Sequence, residues 1–243
     1  MRYLATVSYD GTNYIGWQIQ PNGLSIEEII EKVLSKMLNT PTKIYGSGRT
    51  DAGVHALGQT FHFDGKEIKD LGKFMYSMNK MLPIDIKISQ ISVVKDDFHA
   101  RFNAVSKTYV YKLNTGKFNV FEKEHVYQLL QALDVNKMIE TSKLFVGEHN
   151  FMNFTSKEED ESNFIRNIYS IGINEDKGIV TFTLSGNGFM RYMVRMIVGT
   201  LVQVGLGKLT VNDVELLISS KERKQTQYKI GACGLYLEKV NYQ

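Results

Sequence analysis

One short stretch, residues 46–55 (GSGRTDAGVH), combines the residue types that a reaction centre needs. It holds the carboxylate Asp51 two residues after the guanidinium of Arg49, in a run that contains three glycines. Glycines let the backbone adopt conformations closed to other residues and let a ligand approach the main chain. A carboxylate in such a loop can act as a nucleophile or as a general base, provided that it is ionised. The alternative is a glycine-rich turn with a surface ion pair, which stabilises little.

The spacing within this stretch excludes two common nucleotide-binding motifs. Asp51 occupies the position at which G-x-G-x-x-G requires its third glycine, and no Gly-Lys-Ser/Thr follows as in a Walker loop. His55, His62 and His99 do not have the spacing of metal ligands, and the single cysteine, Cys233, does not complete a set. We therefore expect no metal and no organic cofactor.

Two arginines near the end of the chain also merit attention. Arg191 and Arg195 are four residues apart, and on a helix this spacing puts both on one face. The rest of that predicted helix is largely apolar, and a buried charge without a partner is costly. We therefore expect these arginines to have a partner. That partner is either a group of a functional site or an acidic residue in a structural salt bridge.

Strands and helices alternate along the chain and must position these residues. Strands are predicted at 2–9, 59–63, 86–94, 104–113, 165–173, 179–185 and 235–240. Helices are predicted from Ser25, which has a capping-box spacing with Glu28, to before Pro41, and at 69–82, 134–146, 189–204 and 211–219. Asp51 then lies on the loop between the first helix and the strand at 59–63.

The order of these elements predicts the fold class. Two similar mixtures of strands and helices indicate a pseudo-duplicated α+β fold, with antiparallel sheets flanked by helices and an active-site cleft between the halves. We expect an N-terminal domain at 1–100, which carries the Asp51 loop, and a C-terminal domain at 101–243. The charged stretch 156–161 is predicted to be a solvated loop.

The composition indicates a cytoplasmic globular protein. The chain has 243 residues, of which 43% are hydrophobic and 23% charged. A single cysteine argues against a disulfide framework, and we find neither a signal peptide nor an apolar run that could span a membrane. The net charge of +3 permits a polyanionic partner without requiring one.

Several further motifs, read together with residues 46–55, resemble the TruA family of tRNA pseudouridine synthases. The shared motifs are Tyr9-Asp10-Gly11-Thr12, Gly16-Trp17-Gln18, Asp97-Phe98-His99-Ala100-Arg101-Phe102, Ser106-Lys107-Thr108-Tyr109, Gly186-Asn187-Gly188-Phe189, Met193-Val194-Arg195 and Gly234-Leu235-Tyr236-Leu237. They occur in family order over nearly the whole chain. The resemblance implies an isomerase without cofactor that acts as a homodimer on uridines 38, 39 and 40 of tRNA.

The same resemblance implies roles for five residues. Asp51 becomes the catalytic nucleophile or base, and Arg195 its ion-pair partner. Tyr109 is placed against the target uracil, although most strand tyrosines are simply core aromatics, and Leu235 also falls among the substrate-binding positions. Arg49 is expected to contact the RNA or to fill the gap left by the flipped base.

Two segments depart from the family pattern. Ile230-Gly231-Ala232-Cys233 stands where the family usually carries an Ala-Pro-Ala-like segment, and Ile26-Glu27 where it usually has Val-Gln. These departures leave open a paralogue that modifies ribosomal RNA or other tRNA uridines. An RNA-binding protein with little catalysis is a second alternative. A hydrolase that uses Asp51 is a third, but the loop supplies neither a metal site nor a second acid.

Overall fold

The computed structural model of the chain describes residues 1–156, 164–220 and 222–243. The described residues form ten strands: β1 (Arg2–Tyr9), β2 (Ile44–Gly46), β3 (His55–Asp64), β4 (Ile86–Val94), β5 (Ala104–Asn114), β6 (Tyr127–Gln128), β7 (Gly147–Asn150), β8 (Ile165–Asp176), β9 (Ile179–Gly186) and β10 (Leu235–Tyr242). They also form five α-helices: α1 (Ile26–Leu38), α2 (Leu71–Met81), α3 (Val135–Ser142), α4 (Met193–Gly205) and α5 (Val211–Ser219). The predicted mixture of helices and strands is confirmed. The charged stretch predicted at 156–161 lies, beyond Ser156, outside the described residues.

The chain divides into two compact units. The first comprises residues 1–105 together with 236–243, and the second comprises residues 106–235. The last eight residues, which the sequence assigned to the C-terminal half, therefore belong to the first unit. Among the described residues, no helix is both long and apolar enough to cross a membrane.

The first unit contains a sheet in the order β4-β1-β3-β10, with β2 paired to β3. β1 alternates strictly, so that Tyr3, Ala5, Val7 and Tyr9 are buried and the residues between them are partly exposed. Apolar residues of α1, such as Ile30 and Leu34, complete this core. The pairing of β10 with β3 is parallel, although the sequence predicted antiparallel sheets.

The second unit contains a sheet in the order β5-β9-β8-β7, and its pairs are antiparallel apart from the short parallel strand β6 beside β5. The central helix is α4, in which only Arg195 and Gln203 are not buried. A helix that is apolar around its whole circumference belongs in a core. α4 therefore gives Arg195 a rigid base.

One predicted helix begins later than expected. The apolar period suggested 189–204, but α4 begins at Met193 because Tyr192 adopts a left-handed conformation with φ +63°. The carbonyl of Arg191 instead accepts a hydrogen bond from the Thr155 hydroxyl at 3.0 Å. The prediction that Arg191 and Arg195 share a helix face is therefore wrong, since Arg191 precedes the helix.

Most other boundaries agree within a few residues. The strand predicted at 59–63 begins earlier, at His55, where β3 pairs with β10 through Tyr236. The helix predicted at 134–146 ends at Ser142 and continues as the 3-10 turn Lys143–Phe145. The strands β2, β6 and β7, with two to four residues each, were not predicted.

Candidate active site

The loop that carries Asp51 joins β2 to β3. The first residues of this loop are hydrogen-bonded to β3. The amide of Ser47 donates to the Thr60 carbonyl at 2.8 Å, and the Ser47 hydroxyl donates to the side-chain oxygen of Gln59 at 2.6 Å. The Gln59 side-chain amide donates to the Gly48 carbonyl at 2.8 Å. Ser47 and Gln59 are both fully buried. These hydrogen bonds therefore fix the backbone of the loop where it leaves β2.

The segment between β1 and α1 supports the middle of this loop. The Trp17 amide donates to the Thr50 carbonyl at 3.1 Å, and the Gly53 amide donates to the Tyr14 carbonyl at 3.4 Å. The hydroxyl groups of Tyr9 and Thr50 are 2.8 Å apart and buried. Thr50, which directly precedes Asp51, is thus held through both its backbone and its side chain.

Two glycines allow this segment to lie directly against the loop. A Cβ on Gly16 would lie 2.4 Å from the Thr50 carbonyl oxygen, and Gly16 has φ +107°. A Cβ on Gly11 would lie 2.0 Å from the Val54 carbonyl oxygen. The backbone of Gly16 also forms a β-bridge with Asp51. The two sequence motifs that contain these glycines are therefore part of the support of Asp51.

His55 closes the far end of the loop. It is 2% exposed, and its ring stacks on Tyr236 with centroids 4.8 Å apart. The Gly11 amide donates to Nδ1 of His55 at 3.1 Å, and a carboxylate oxygen of Asp10 lies 3.0 Å from the same atom. That oxygen also accepts hydrogen bonds from the amide and hydroxyl of Thr12. Sequence reasoning missed this structural role of His55, because it tested the histidine only as a metal ligand.

Arg49 is exposed, whereas Asp51 on the same loop is half-buried. Arg49 acts electrostatically on Glu27, a residue that departs from the family pattern. Burial raises the pKa of Glu27, while a hydrogen bond from the Ile19 amide and the charges of Lys43 and Arg49 oppose that rise. Glu27 accepts the Ile19 hydrogen bond at 3.0 Å, so this departure has a local structural role.

The two tyrosines of β5 occupy different surroundings in the second unit. Tyr109 is 8% exposed, and its ring meets Phe189 edge-on with centroids 5.2 Å apart. Tyr111 is fully buried and donates to the Gly231 carbonyl at 2.9 Å. Burial raises the pKa of Tyr111 well above its usual value. Tyr111 therefore supports the segment around Gly231, and Tyr109 stays the tyrosine predicted to contact substrate.

Arg195 is oriented by groups near the start of α4. Its Nε donates to the Ile230 carbonyl at 2.8 Å, and its guanidinium lies 5.3 Å from the ring centroid of Tyr192. Lys229, at 4.2 Å, and Arg191, at 4.8 Å, approach the same ring. Three cations around one aromatic ring form a basic cluster that suits an anionic ligand.

Leu235 begins β10 and is 5% exposed. Its amide donates to the Ala232 carbonyl at 2.8 Å, and the Gly234 carbonyl accepts from the Lys112 amide at 2.9 Å. Cys233, in the segment that departs from the family pattern, is half-buried, and burial raises the pKa of its thiol. The segment before Leu235 is therefore tied to β5.

The predicted site residues fall into two groups. Asp51 and Arg49 share one loop of the first unit, whereas Tyr109, Arg195 and Leu235 belong to the second. The structure adds Thr50, as the braced neighbour of Asp51, which sequence reasoning had not singled out. The available signal was that Tyr9, Gly11 and Gly16 lie in motifs shared with the same family.

Known proteins resemble this chain over its whole length. A family model described as tRNA pseudouridine synthase matches residues 5–103 and 141–243. A protein named tRNA pseudouridine synthase A from Staphylococcus carnosus (strain TM300) is 39% identical over 99% of this chain and 90% of its own length. For tRNA pseudouridine synthase A 2 from Bacillus anthracis, the identity is 39% over 99% of both chains. The synthase A of Streptococcus thermophilus (strain CNRZ 1066) is 38% identical over 100% of both.

A solved structure, titled "Crystal Structure of a Cbf5-Nop10-Gar1 Complex", covers 82% of this chain and 53% of its own at 15% identity and a TM-score of 0.39. That likeness is too low to support an argument. The family match and the full-length relatives do not depend on it. The family match and the full-length relatives both show that this chain belongs to the tRNA pseudouridine synthase family.

Proposed function

We propose that this chain isomerises uridine to pseudouridine in tRNA, at positions 38, 39 and 40 of the anticodon arm. The reaction breaks the bond between the ribose and a ring nitrogen of uracil, turns the base and rejoins the ribose to a ring carbon. That carbon then loses its proton, and the ring nitrogen that left the ribose gains one. Atoms and electrons balance within the nucleotide, so the reaction needs no oxidant and no imported group.

The observation that carries this proposal is the support of Asp51. Hydrogen bonds fix its loop to β3 at Ser47, and to the segment between β1 and α1 at Thr50. A preorganised carboxylate can attack the sugar or remove its proton without first paying the entropy of ordering a loop. Membership of the tRNA pseudouridine synthase family supports the class of reaction that we assign to this carboxylate.

The other residues receive roles that suit their surroundings. Arg195 projects from the rigid helix α4 and serves as the cation that keeps Asp51 ionised. Tyr109 and Leu235 contact the extruded uracil, since an aromatic ring and an apolar side chain can hold a flipped base. Arg49, exposed beside Asp51, contacts RNA or fills the gap left by the base.

We further propose that the enzyme works in the cytoplasm as a homodimer, without a metal or an organic cofactor. The basic cluster of Arg191, Arg195 and Lys229 around Tyr192 supports an RNA substrate, because phosphates bind where several cations converge. A moderate net charge is compatible with RNA binding when the cations are locally concentrated.

The test uses tRNA transcript, purified protein and primer-extension mapping of pseudouridine by carbodiimide adducts. We expect wild-type protein to modify positions 38–40 in the presence of EDTA. Asp51→Asn should form no pseudouridine yet bind tRNA with unchanged affinity. Asp70→Asn is a matched control, because Asp70 caps α2 through a hydrogen bond from Lys73, and asparagine caps equally well. It should remain fully active.

The outcomes separate the alternatives. If pseudouridine formed only in ribosomal RNA or at other tRNA positions, the proposed reaction would stand and the proposed substrate would be wrong. Tight RNA binding with no pseudouridine in any cellular RNA would favour the RNA-binding protein. Loss of activity in EDTA, with recovery on adding a divalent metal, would contradict the mechanism without a metal.

A further inference from the structure

We propose that four rings in contact in the first unit, Tyr45, His62, His99 and Phe102, present an exposed aromatic surface on which an unpaired base of the RNA substrate stacks. We call this set the ring stack. The neighbouring Arg101 would bind the phosphate of the same nucleotide. The proposal rests on the proposed function, since it assigns a second contact for the same RNA.

The rings follow one another closely. Tyr45 and His62 are cross-strand partners in β2 and β3, and their rings stack at 5.0 Å with an angle of 18°. His62 meets His99 edge-on, at 4.6 Å and 62°, and the tilted rings of His99 and Phe102 lie 4.3 Å apart at 35°. The guanidinium carbon of Arg101 lies 5.8 Å from the Phe102 centroid.

The two ends of the ring stack face solvent, whereas His62 is buried and His99 half-buried between them. His62 is 2% exposed, whereas Tyr45 is 51% and Phe102 76% exposed. A phenylalanine that stays exposed contributes little hydrophobic stabilisation to the folded protein. The stability of the fold therefore does not explain why Phe102 is a phenylalanine. Contiguous exposed apolar surface is more common where a ligand or a partner binds.

The loop that holds Phe102 is nevertheless tightly anchored. The Arg2 guanidinium donates to the Phe98 carbonyl at 2.9 Å, and the Tyr242 hydroxyl donates to the Ala100 carbonyl at 2.7 Å. The Asn103 amide closes the turn by donating to the His99 carbonyl at 2.9 Å. The loop therefore presents an exposed ring from a fixed backbone, and a preorganised contact binds a ligand at a lower entropic cost.

The two histidines are suited to stacking at neutral pH. Nδ1 of His62 accepts a hydrogen bond from the Ala100 amide at 3.1 Å, and Nδ1 of His99 accepts one from the Arg101 amide at 3.1 Å. Burial lowers the pKa of His62 to about 4 and also lowers that of His99. Neutral imidazoles continue the aromatic surface and add no charge to its centre.

Two features favour RNA over a protein partner. Arg101 places a cation beside the exposed ring, and a ring with an adjacent cation matches a base with its phosphate. Tyr45 also lies six residues before Asp51, which limits their separation along the chain to about 20 Å. A base on the ring stack would thus belong to the same RNA region as the target uridine.

The test compares Phe102→Leu, Phe102→Trp and Tyr76→Leu by filter binding of tRNA. Tyr76 is the matched control, because it is 64% exposed on α2 with the Lys80 ammonium 5.5 Å from its ring. We expect Phe102→Leu to raise Kd about tenfold, as the loss of one base–aromatic stack would. Phe102→Trp should bind like wild type, and Tyr76→Leu should stay within about twofold of it, a margin set by the small effects of surface substitutions. Ultraviolet crosslinking followed by mass spectrometry should attach a nucleotide to Phe102 or Tyr45.

Other results would overturn the proposal. An unchanged Kd in Phe102→Leu, while wild type forms pseudouridine, would reject the ring stack and leave the proposed function intact. A wild-type protein that neither binds tRNA nor forms pseudouridine would reject the proposed function itself. If Phe102→Leu instead dissociated a dimer in sedimentation experiments without RNA and left Kd unchanged, the ring stack would be a contact between copies of the chain.

Discussion

Gly16 lies against the carbonyl of Thr50, so closely that a Cβ on Gly16 would be 2.4 Å from the carbonyl oxygen. The φ of +107° at Gly16 adds strain for any side chain. We expect Gly16→Ala to displace Thr50 and Asp51 and to lower the rate constant of the chemical step by about tenfold or more. The measurement is a single-turnover assay of pseudouridine formation.

The control for this change is Gly72→Ala. Gly72 is exposed in α2, and a Cβ there would approach only the Asp70 side chain, at 3.4 Å. Alanine favours helix over glycine, so this variant should keep full activity and match or exceed wild-type stability. Equal activity of Gly16→Ala and wild type would show that the contact between Gly16 and Thr50 does not position Asp51.

The pKa of His62 predicts how the stability of the first unit depends on pH. Burial lowers this pKa from 6.5 to about 4, so the folded state binds fewer protons than the unfolded state between these values. The free energy of unfolding should therefore fall as pH drops from about 6.5 towards 4, with a slope of at most about 1.4 kcal/mol per pH unit from this group.

The check is urea denaturation of wild type and His62→Asn from pH 4.5 to 7.5. Asparagine offers its amide oxygen at the position of Nδ1, which accepts from the Ala100 amide, but does not titrate. The variant should lose part of the pH dependence below 6.5, whatever its stability at pH 7.5. Identical slopes for both proteins would mean that His62 does not carry the effect.

The sequence predicted what local pattern determines. Ser25 and Thr210 mark the starts of α1 and α5, where each side chain accepts a hydrogen bond from the amide three residues later. The strand predicted at 2–9 coincides with β1, Arg2–Tyr9. Each of these features depends on neighbours within a few residues.

The sequence could not predict what distant contacts determine. β3 begins at His55 because β10, nearly at the end of the chain, pairs with it there. Arg191 lies outside α4 because Tyr192 is left-handed, and the distant Thr155 hydroxyl donates a hydrogen bond to the Arg191 carbonyl. The support of Asp51 by Gly16 likewise joins two segments separated by a helix, although the motif pointed to Asp51 itself.

The close approach of Gly199 in α4 to the Tyr228 carbonyl gives a prediction for the second unit. A Cβ on Gly199 would lie 1.7 Å from that oxygen, so Gly199→Ala must push the segment around Ile230 away from the helix. Because Ile230 accepts the hydrogen bond from Arg195, this variant should lose activity as well as about 1–3 kcal/mol of stability. Thermal denaturation and the pseudouridine assay measure the two effects. Gly172→Ala is the control, since a Cβ there meets no atom within 4 Å, and it should change neither. A stable Gly199→Ala variant with full activity would contradict the packing argument.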